Sequence, residues 1–249
     1  MRVVRKLIDV NREFYQNFGS SFSSTRGRIQ PGVRNIIKTL PQSGQWLDLG
    51  CGNGNLAVEW ARIKRTGLYF GIDSSKVLLK EAQVLVGKTE IPNNLEIELQ
   101  QSDLTKPGWV NTLPALKWSG VFAFAVLHHI PSMQLRLQVL SQVRQLIAKG
   151  KYFYISVWQL QNSPRLIARR QPWERIGLEI SDVEARDVLM DWRHEISIEE
   201  NMFGLRYVHL FNEEELIVLA GETNFIIIDQ FYSDGKSGNL GLYQVWKAI

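Results

Sequence analysis

The chain has 249 residues, 45% apolar and 22% charged, the balance of a folded globular protein rather than a disordered or fibrous one. A single cysteine excludes an internal disulfide framework, and one cysteine with four histidines argues against a structural zinc site, so no metal is expected. The longest apolar runs, "GVFAFAVL" before His128 among them, fall far short of the ~20 residues that span a bilayer. The opening "MRVVRKLIDVNREF" is broken by charge too often to be a signal peptide, so a soluble, cytoplasmic protein without membrane attachment is expected. The net charge of +4 is unevenly spread: residues 1–38 carry eight Lys/Arg against two Asp/Glu, and residues 195–249 carry three against nine. The basic end suits a polyanion, or is a solvated helix face with an excess of arginine; the acidic end argues against uniform non-specific nucleic-acid binding.

In chain order, "VVRKLIDVNREFYQNF" spaces its apolar residues at three and four, as an amphipathic helix does, and opens an N-terminal helical arm over 1–43. "GSSFSSTRGRIQPG" (19–32) reads as a loop. From residue 44 strands and helices alternate: "QWLDLG" then "NLAVEWARIKR", "GLYFGID" then "SSKVLLKEAQVLV", then "NLEIELQQSD", "SGVFAFAVLHH", "SMQLRLQVLSQVRQLIA" and "KYFYISVW". That rhythm predicts an α/β fold, doubly wound, with a mostly parallel seven-stranded sheet and helices on both faces. Residues 159–211 break the rhythm with clustered arginines and no clean period, and read as a substrate-side insertion over the strand ends of a single domain spanning 1–249. The helix "NEEELIVLAGET" and a hairpin of "FIIIDQFY" and "LGLYQVW" close the sheet, with one strand antiparallel to the rest.

The strongest motif is "LDLGCGNGNLA" (47–57), which leaves a strand and opens a helix. Gly50, Gly52 and Gly54 allow a tight turn and close backbone approach to a ligand. The spacing is G-x-G-x-G rather than the dinucleotide G-x-G-x-x-G, and Asp48 before it would repel a pyrophosphate but attract an ammonium group. Asp73, twenty-three residues after Gly50, ends the second strand at the separation where an acid accepts from ribose hydroxyls. Asp103 ends the third. His128 and His129 follow the fourth strand, as a base, as substrate ligands or as loop polar residues. Cys51, inside the glycine loop, is most simply a small packing residue.

This loop resembles that of class I S-adenosylmethionine-dependent methyltransferases, whose fold is Rossmann-like. The resemblance implies S-adenosyl-L-methionine as cofactor, held by Asp48, Gly50, Cys51, Gly52, Asp73, Ser74, Ser102, Asp103, Leu104 and Ala125, with Asp103 facing the adenine amine. In order, "FSSTR" (22–26), the glycine loop, "AVLHHIP", "YISVW", "DVLMDWRH" (187–194) and "RYVHLFNEEEL" (206–216) are together similar to the wobble-uridine tRNA carboxymethyl methyltransferases. The chain departs from their pattern at "LIAKGKYFYI", which lacks a Pro-Gly-Gly turn, and at Asp191, where they have proline. The resemblance implies esterification of a carboxymethyl group on a uridine of a tRNA anticodon loop. In eukaryotes these enzymes use a small zinc-binding activator, which makes such a protein a candidate partner. A carboxylate acceptor is ionised at neutral pH and needs cationic positioning more than a base. Arg26 and Arg206, with His209 and Tyr207 beside the latter, are therefore expected to converge on it, with His128 the candidate if a base acts. The bland reading of Arg206 is a salt bridge to Glu213–Glu215. Trp158, Trp173 and Trp192 are candidates for base stacking, and Arg165, Arg169 and Arg170 for phosphate contact. Two other functions share the cofactor half: a small-molecule O- or N-methyltransferase, and a non-catalytic cofactor-binding partner.

Overall fold

A computed structural model describes residues 2–24, 27–195 and 201–249. The chain opens with helices α1 (Arg2–Ser24) and α2 (Pro31–Thr39). It then alternates: β1 (Ser43–Leu49), α3 (Asn55–Arg62), β2 (Thr66–Asp73), α4 (Lys76–Gly87), β3 (Leu95–Gln101), β4 (Gly120–Phe124), α5 (Met133–Leu146) and β5 (Tyr152–Trp158). The inserted region adds α6 (Pro164–Ile167), β6 (Arg170–Gln171), β7 (Asp187–Glu195) and β8 (Asn201–His209). Helix α7 (Glu213–Glu222), β9 (Phe225–Ser233) and β10 (Gly241–Ala248) complete the chain.

The main sheet has the order β3-β2-β1-β4-β5-β10-β9. β1 to β5 pair in parallel, and β10 runs antiparallel to both β5 and β9, the architecture predicted from the alternation. Strand parity divides the core. Trp46, Phe122, Tyr154 and Tyr243 face α2 and α3, whereas Leu47, Val121, Phe153 and Leu242 face α5 and α7. Helix starts are set by local chemistry: Ser75, Ser132 and Asn212 accept from backbone amides of the first turns of α4, α5 and α7. Among the described residues no helix is long and apolar enough to cross a membrane.

Two expectations need correction. Of the stretch 19–32 expected as a loop, residues 19–24 are helical, because α1 continues to Ser24, whereas 27–30 are irregular. Packing overrides the poor helix propensity of 19–24: Gly19 lies against Leu78 and Val77 of α4, with its Cβ position 3.5 Å from both side chains. The insertion, where no period was visible, contains a small antiparallel sheet, β6-β7-β8. Its alternation is hidden because both faces are apolar. Leu189 and Tyr207 pack with Leu7 of α1, while Val188, Met190 and Val208 pack with Leu160 and Leu166.

Helix α1 thus bridges the two sheets. Leu7 and Phe14 are each 2% exposed, and such burial stabilises by about 1.5–3 kcal/mol per side chain. Gly204 leaves the room that Phe14 and Phe18 fill, since a Cβ there would lie 2.7 Å from the Phe14 ring. Asn11 fixes the register. Its Oδ1 accepts from the Tyr207 N–H at 2.8 Å, and its Nδ2 donates to the Tyr207 carbonyl at 3.1 Å. An amide side chain thereby satisfies the outer main-chain edge of β8. Asn11→Ala removes both bonds from a buried strand edge, a loss of about 1–3 kcal/mol. The expected result is a thermal midpoint lower by roughly 2–12 °C, with faster amide exchange across α1. A midpoint equal to that of the wild type would show that α1 does not depend on this pair.

Candidate active site

The strand order reverses between β1 and β4, and the segments after their carboxyl ends diverge to leave a crevice. The turn after β1 is anchored by the Gly50 and Cys51 amides, which both donate to the Ile72 carbonyl of β2, at 2.8 and 2.9 Å. Gly50, Gly52 and Gly54 all adopt positive φ, 73°, 56° and 77°. A Cβ at Gly50 would meet Val126 at 2.5 Å and one at Gly54 would meet Ala82 at 2.8 Å, whereas one at Gly52 would project into open space. Gly50 and Gly54 serve packing; Gly52 keeps the cavity clear for a ligand against the backbone.

A cavity of about 250 Å³ lies over this turn, lined by Gly50, Gly52, Asp73, Ser74, Ser102, Asp103, Leu104 and Ala125. Its roof is α1, through Ile8, Asn11, Arg12 and Tyr15. The Asp73 carboxylate accepts from the Gly52 and Ser75 amides at 2.9 and 2.8 Å, which leaves lone pairs for hydroxyl donors. Burial holds Asp73 above the usual carboxylate range, against the pull of those amides. Asp103 accepts from the Thr105 amide and hydroxyl, and its other oxygen lies 3.7 Å from the Arg12 guanidinium. Ala125 sits in the left-handed region at φ 58°, its amide donating to the Ser156 carbonyl. Such a backbone costs on the order of 1–3 kcal/mol in a non-glycine residue and is typical of ligand sites. The set fits a nucleoside with an amino-acid tail: an open glycine edge, a carboxylate for vicinal hydroxyls and a second carboxylate two strands from the turn.

Asp48 and Cys51 stand behind the turn and line a second cavity of about 600 Å³, which meets the first at Gly50, Phe124, Ala125 and Trp158. The Asp48 carboxyl accepts from the Tyr69 hydroxyl. Burial pushes its pKa up to about 7, with the Tyr69 bond opposing and the Asp73 charge adding. Burial and the same two acids push the Cys51 thiol well up, which suits packing and not nucleophilic attack.

Arg206 also lines the second cavity, 7% exposed, its guanidinium carbon 5.0 Å from the Phe14 ring centre and 5.1 Å from that of Trp158. Arg169 lines it too, held through Nε at 2.7 Å by Asp191, whose carboxylate is fully buried. The departure at Asp191 therefore has a structural purpose: it aims an arginine at the cavity. Trp158 and Trp192 line the cavity, whereas Trp173 is core beside Leu7. Arg26 lies outside the described residues.

The expected convergence of Arg206 with His209 does not occur. Three residues apart on one strand, they point to opposite faces of β8. His209 lies in a buried cluster, 2.6 Å from Asp187 and 2.8 Å from Glu215, with Tyr207 also donating to Asp187. Arg136 of α5 reaches Glu184 and Glu215 in the same cluster. Glu184, Asp187 and His209 offer ligand atoms within 4.8 Å of one another, but positive charge is already supplied there by Arg136 and the imidazole. Glu215 is thus engaged by His209 and Arg136, and Glu213 by Tyr232, in place of the salt bridge considered for Arg206.

His128 is likewise displaced from the role of base. It is 0% exposed, accepts from the Trp158 amide and lines neither cavity. Its neighbour His129 lines the first cavity, with Nε2 3.0 Å from the Tyr15 hydroxyl and Nδ1 3.1 Å from the Tyr207 carbonyl. The 3₁₀ turn at 127–129 decides which of the two faces inward, and sequence spacing carries no signal for that. Asn11 and Tyr15 were missed for a similar reason: they read as the polar positions of an amphipathic helix.

A methyltransferase domain model matches residues 22–230. The chain belongs to that family. Over 237 residues this methyltransferase is 25% identical to the tRNA (carboxymethyluridine(34)-5-O)-methyltransferase of Schizosaccharomyces pombe, an alignment covering 88% of this chain and 90% of that one. It is 26% identical over 146 residues to the Arabidopsis thaliana protein of the same name, where the match spans 58% of this chain but only 31% of that longer protein. Among solved structures it resembles a SAM-dependent methyltransferase of Methanosarcina mazei (TM-score 0.64, 18% identity, 89% of this chain and 98% of that one). It also resembles magnesium protoporphyrin IX methyltransferase of Synechocystis PCC 6803 with bound SAH (TM-score 0.63, 16% identity, 96% and 98% covered). These structures share the fold of the chain.

The His209 cluster generates a pH prediction for this methyltransferase. Burial disfavours the imidazolium, but bonds to Asp187 and Glu215 outweigh it and raise the pKa above the ordinary 6.5. A pKa raised on folding contributes stability that is full below the unfolded value and is lost as pH rises through the folded value. Urea midpoints should therefore fall as pH climbs from 6.5 into the alkaline range. His209→Gln should start lower and lose that slope; an unchanged slope would assign the titration elsewhere.

Proposed function

We propose that this methyltransferase takes its methyl group from S-adenosylmethionine and esterifies the carboxymethyl group of a tRNA wobble uridine. The observation that carries the acceptor chemistry is Arg206, a buried guanidinium in the wall of the second cavity, which opens onto the cofactor cavity. The likeness to the Schizosaccharomyces pombe enzyme, along nearly the full length of both chains, supports the same reading. When bound, the cofactor supplies a methyl group on a positively charged sulfur. Asp73 would hold its ribose hydroxyls, Asp103 its adenine amine and Gly52 its backbone-facing edge, while Asp48 would face its ammonium group.

The chain's own task follows from the acceptor's charge. A carboxylate, with an ordinary pKa near 4, is already ionised at neutral pH, so no side chain must remove a proton. It has to be desolvated, aligned and held. A guanidinium does this through two parallel hydrogen bonds, and Arg206, clamped between two rings, has little freedom to lose on binding. Trp158, shared by both cavities, carries Arg206 over its ring and so fixes the guanidinium where the two cavities meet.

Comparing tRNA nucleosides by mass spectrometry from cells with and without the gene tests the substrate: loss of the methyl ester with accumulation of the free acid is expected. An unchanged ester with a methylated small metabolite missing would establish the small-molecule reading. Truncating one partner of a buried charge pair costs about 2–5 kcal/mol, so Arg206→Ala should lower kcat/KM by roughly thirty- to several-thousand-fold. Cofactor affinity should hold, since Arg206 stands on β8 of the small sheet and not at the main-sheet strand ends that carry Asp48, Asp73 and Asp103. Equal losses in both quantities would place Arg206 in a structural role.

Asp48 gives a second test. With a pKa of about 7 it is mostly neutral at pH 6 and mostly ionised at pH 8. If the ionised form receives the ammonium group, calorimetric cofactor affinity should rise about tenfold between those values. Asp48→Asn should abolish the rise. A slope that survives the substitution would remove Asp48 from the cofactor site.

A further inference from the structure

A third concavity, of about 870 Å³, lies between the end of α1, α3 and α4. It joins the second cavity directly, because Arg28, Ile29, Asn53 and Asn55 line both. Five cations border it: Arg28, Arg34 of α2, Arg62 of α3, and Lys80 and Lys88 of α4. All five are exposed. Only two acids, Glu59 and Glu81, stand against them, and Glu59 is taken by Arg34 at 3.5 Å. Lys80 and Lys88 are about 12 Å apart along α4 at 1.5 Å per residue, so the charge is spread along a path and not gathered at a point. A single phosphate or carboxylate would need a cluster. A path of this kind suits a chain of phosphates.

The basic N-terminal segment divides accordingly. Arg28 and Arg34 belong to this groove, whereas the first turns of α1 lie at its other end, where the Lys6 ammonium sits 3.8 Å from the Cβ position of Gly177. We infer that an RNA strand leaves the acceptor cavity past Asn53 and Asn55 and runs along the α3–α4 groove, its phosphodiesters on Arg28, Arg62, Lys80 and Lys88. This replaces the first turns of α1 and the exposed Arg165 and Arg170 as the principal backbone contacts, and it rests on the reading of tRNA as substrate.

The test is fluorescence anisotropy of an end-labelled anticodon stem-loop RNA against the wild type and two triple variants, between about 50 and 200 mM salt. The groove variant carries Arg62→Glu, Lys80→Glu and Lys88→Glu; the control carries Arg2→Glu, Arg5→Glu and Lys6→Glu. Calorimetric cofactor binding confirms that each variant is folded. The groove variant should bind RNA more than about tenfold more weakly, with a salt slope reduced by about 0.7 for each single-strand phosphate that no longer meets a cation. The control should stay within about twofold of the wild type. A groove variant that binds like the wild type while the control loses affinity would overturn the path and leave tRNA standing as substrate. A wild type that binds no RNA at any salt would overturn the substrate reading and the path with it. Retention on anionic vesicles without RNA binding would assign the groove to a lipid surface and overturn the path as well.

Discussion

The reversal of strand order at β1 governs the rest of the molecule. Because β2 lies on one side of β1 and β4 on the other, the segments that follow β1 and β4 diverge at the top of the sheet and leave a gap. Each site feature is a response to that gap. The glycine turn folds back over β2, the segment after β4 bends through the strained Ala125, and α1 closes the opening from above. The two cavities are the two sides of this gap, one toward β2 and β3, the other toward β5 and the β9–β10 turn.

What was legible in the sequence is what local chemistry determines. Alternating strand and helix patterns gave the sheet, and glycine spacing with acids at strand ends pointed to the turn and to Asp73 and Asp103 of the first cavity, with Asp48 behind it in the second. What was not legible depends on partners distant in sequence. The helical state of residues 19–24 comes from contact with α4, and the small sheet of the insertion escaped notice because both of its faces are covered. Reading Arg206 and His209 as one constellation failed on strand parity, which a motif written as letters does not display unless the element is known to be a strand. The choice between His128 and His129 rests on the rotation of one short turn.

The placement of charge is economical. Acids of the site stand at strand ends, Asp48 buried and Asp73 half-buried; desolvation raises both, and a cationic ligand would recover the energy of ionising them. Cations of the second cavity are held in place, Arg206 between the Phe14 and Trp158 rings and Arg169 by Asp191. Acid on the main sheet and base on the insertion divide the crevice into a side for a cation and a side for an anion.

Asn11 and Tyr207, the pair that seats α1, are separated by 196 positions in the chain. During synthesis α1 emerges long before the strand it must join, and in the interval its apolar face, with Leu7 and Phe14, has no native surface to cover it. The main sheet through β5 can assemble meanwhile, since all its pairings lie within residues 43–158. Closure of the roof is therefore a late folding event of high contact order, and an incomplete chain holds the glycine turn without the enclosure that makes it a binding site. The second cavity waits longer still, because Asp234, Gly241 and Tyr243 of the β9–β10 hairpin line it and are synthesised last.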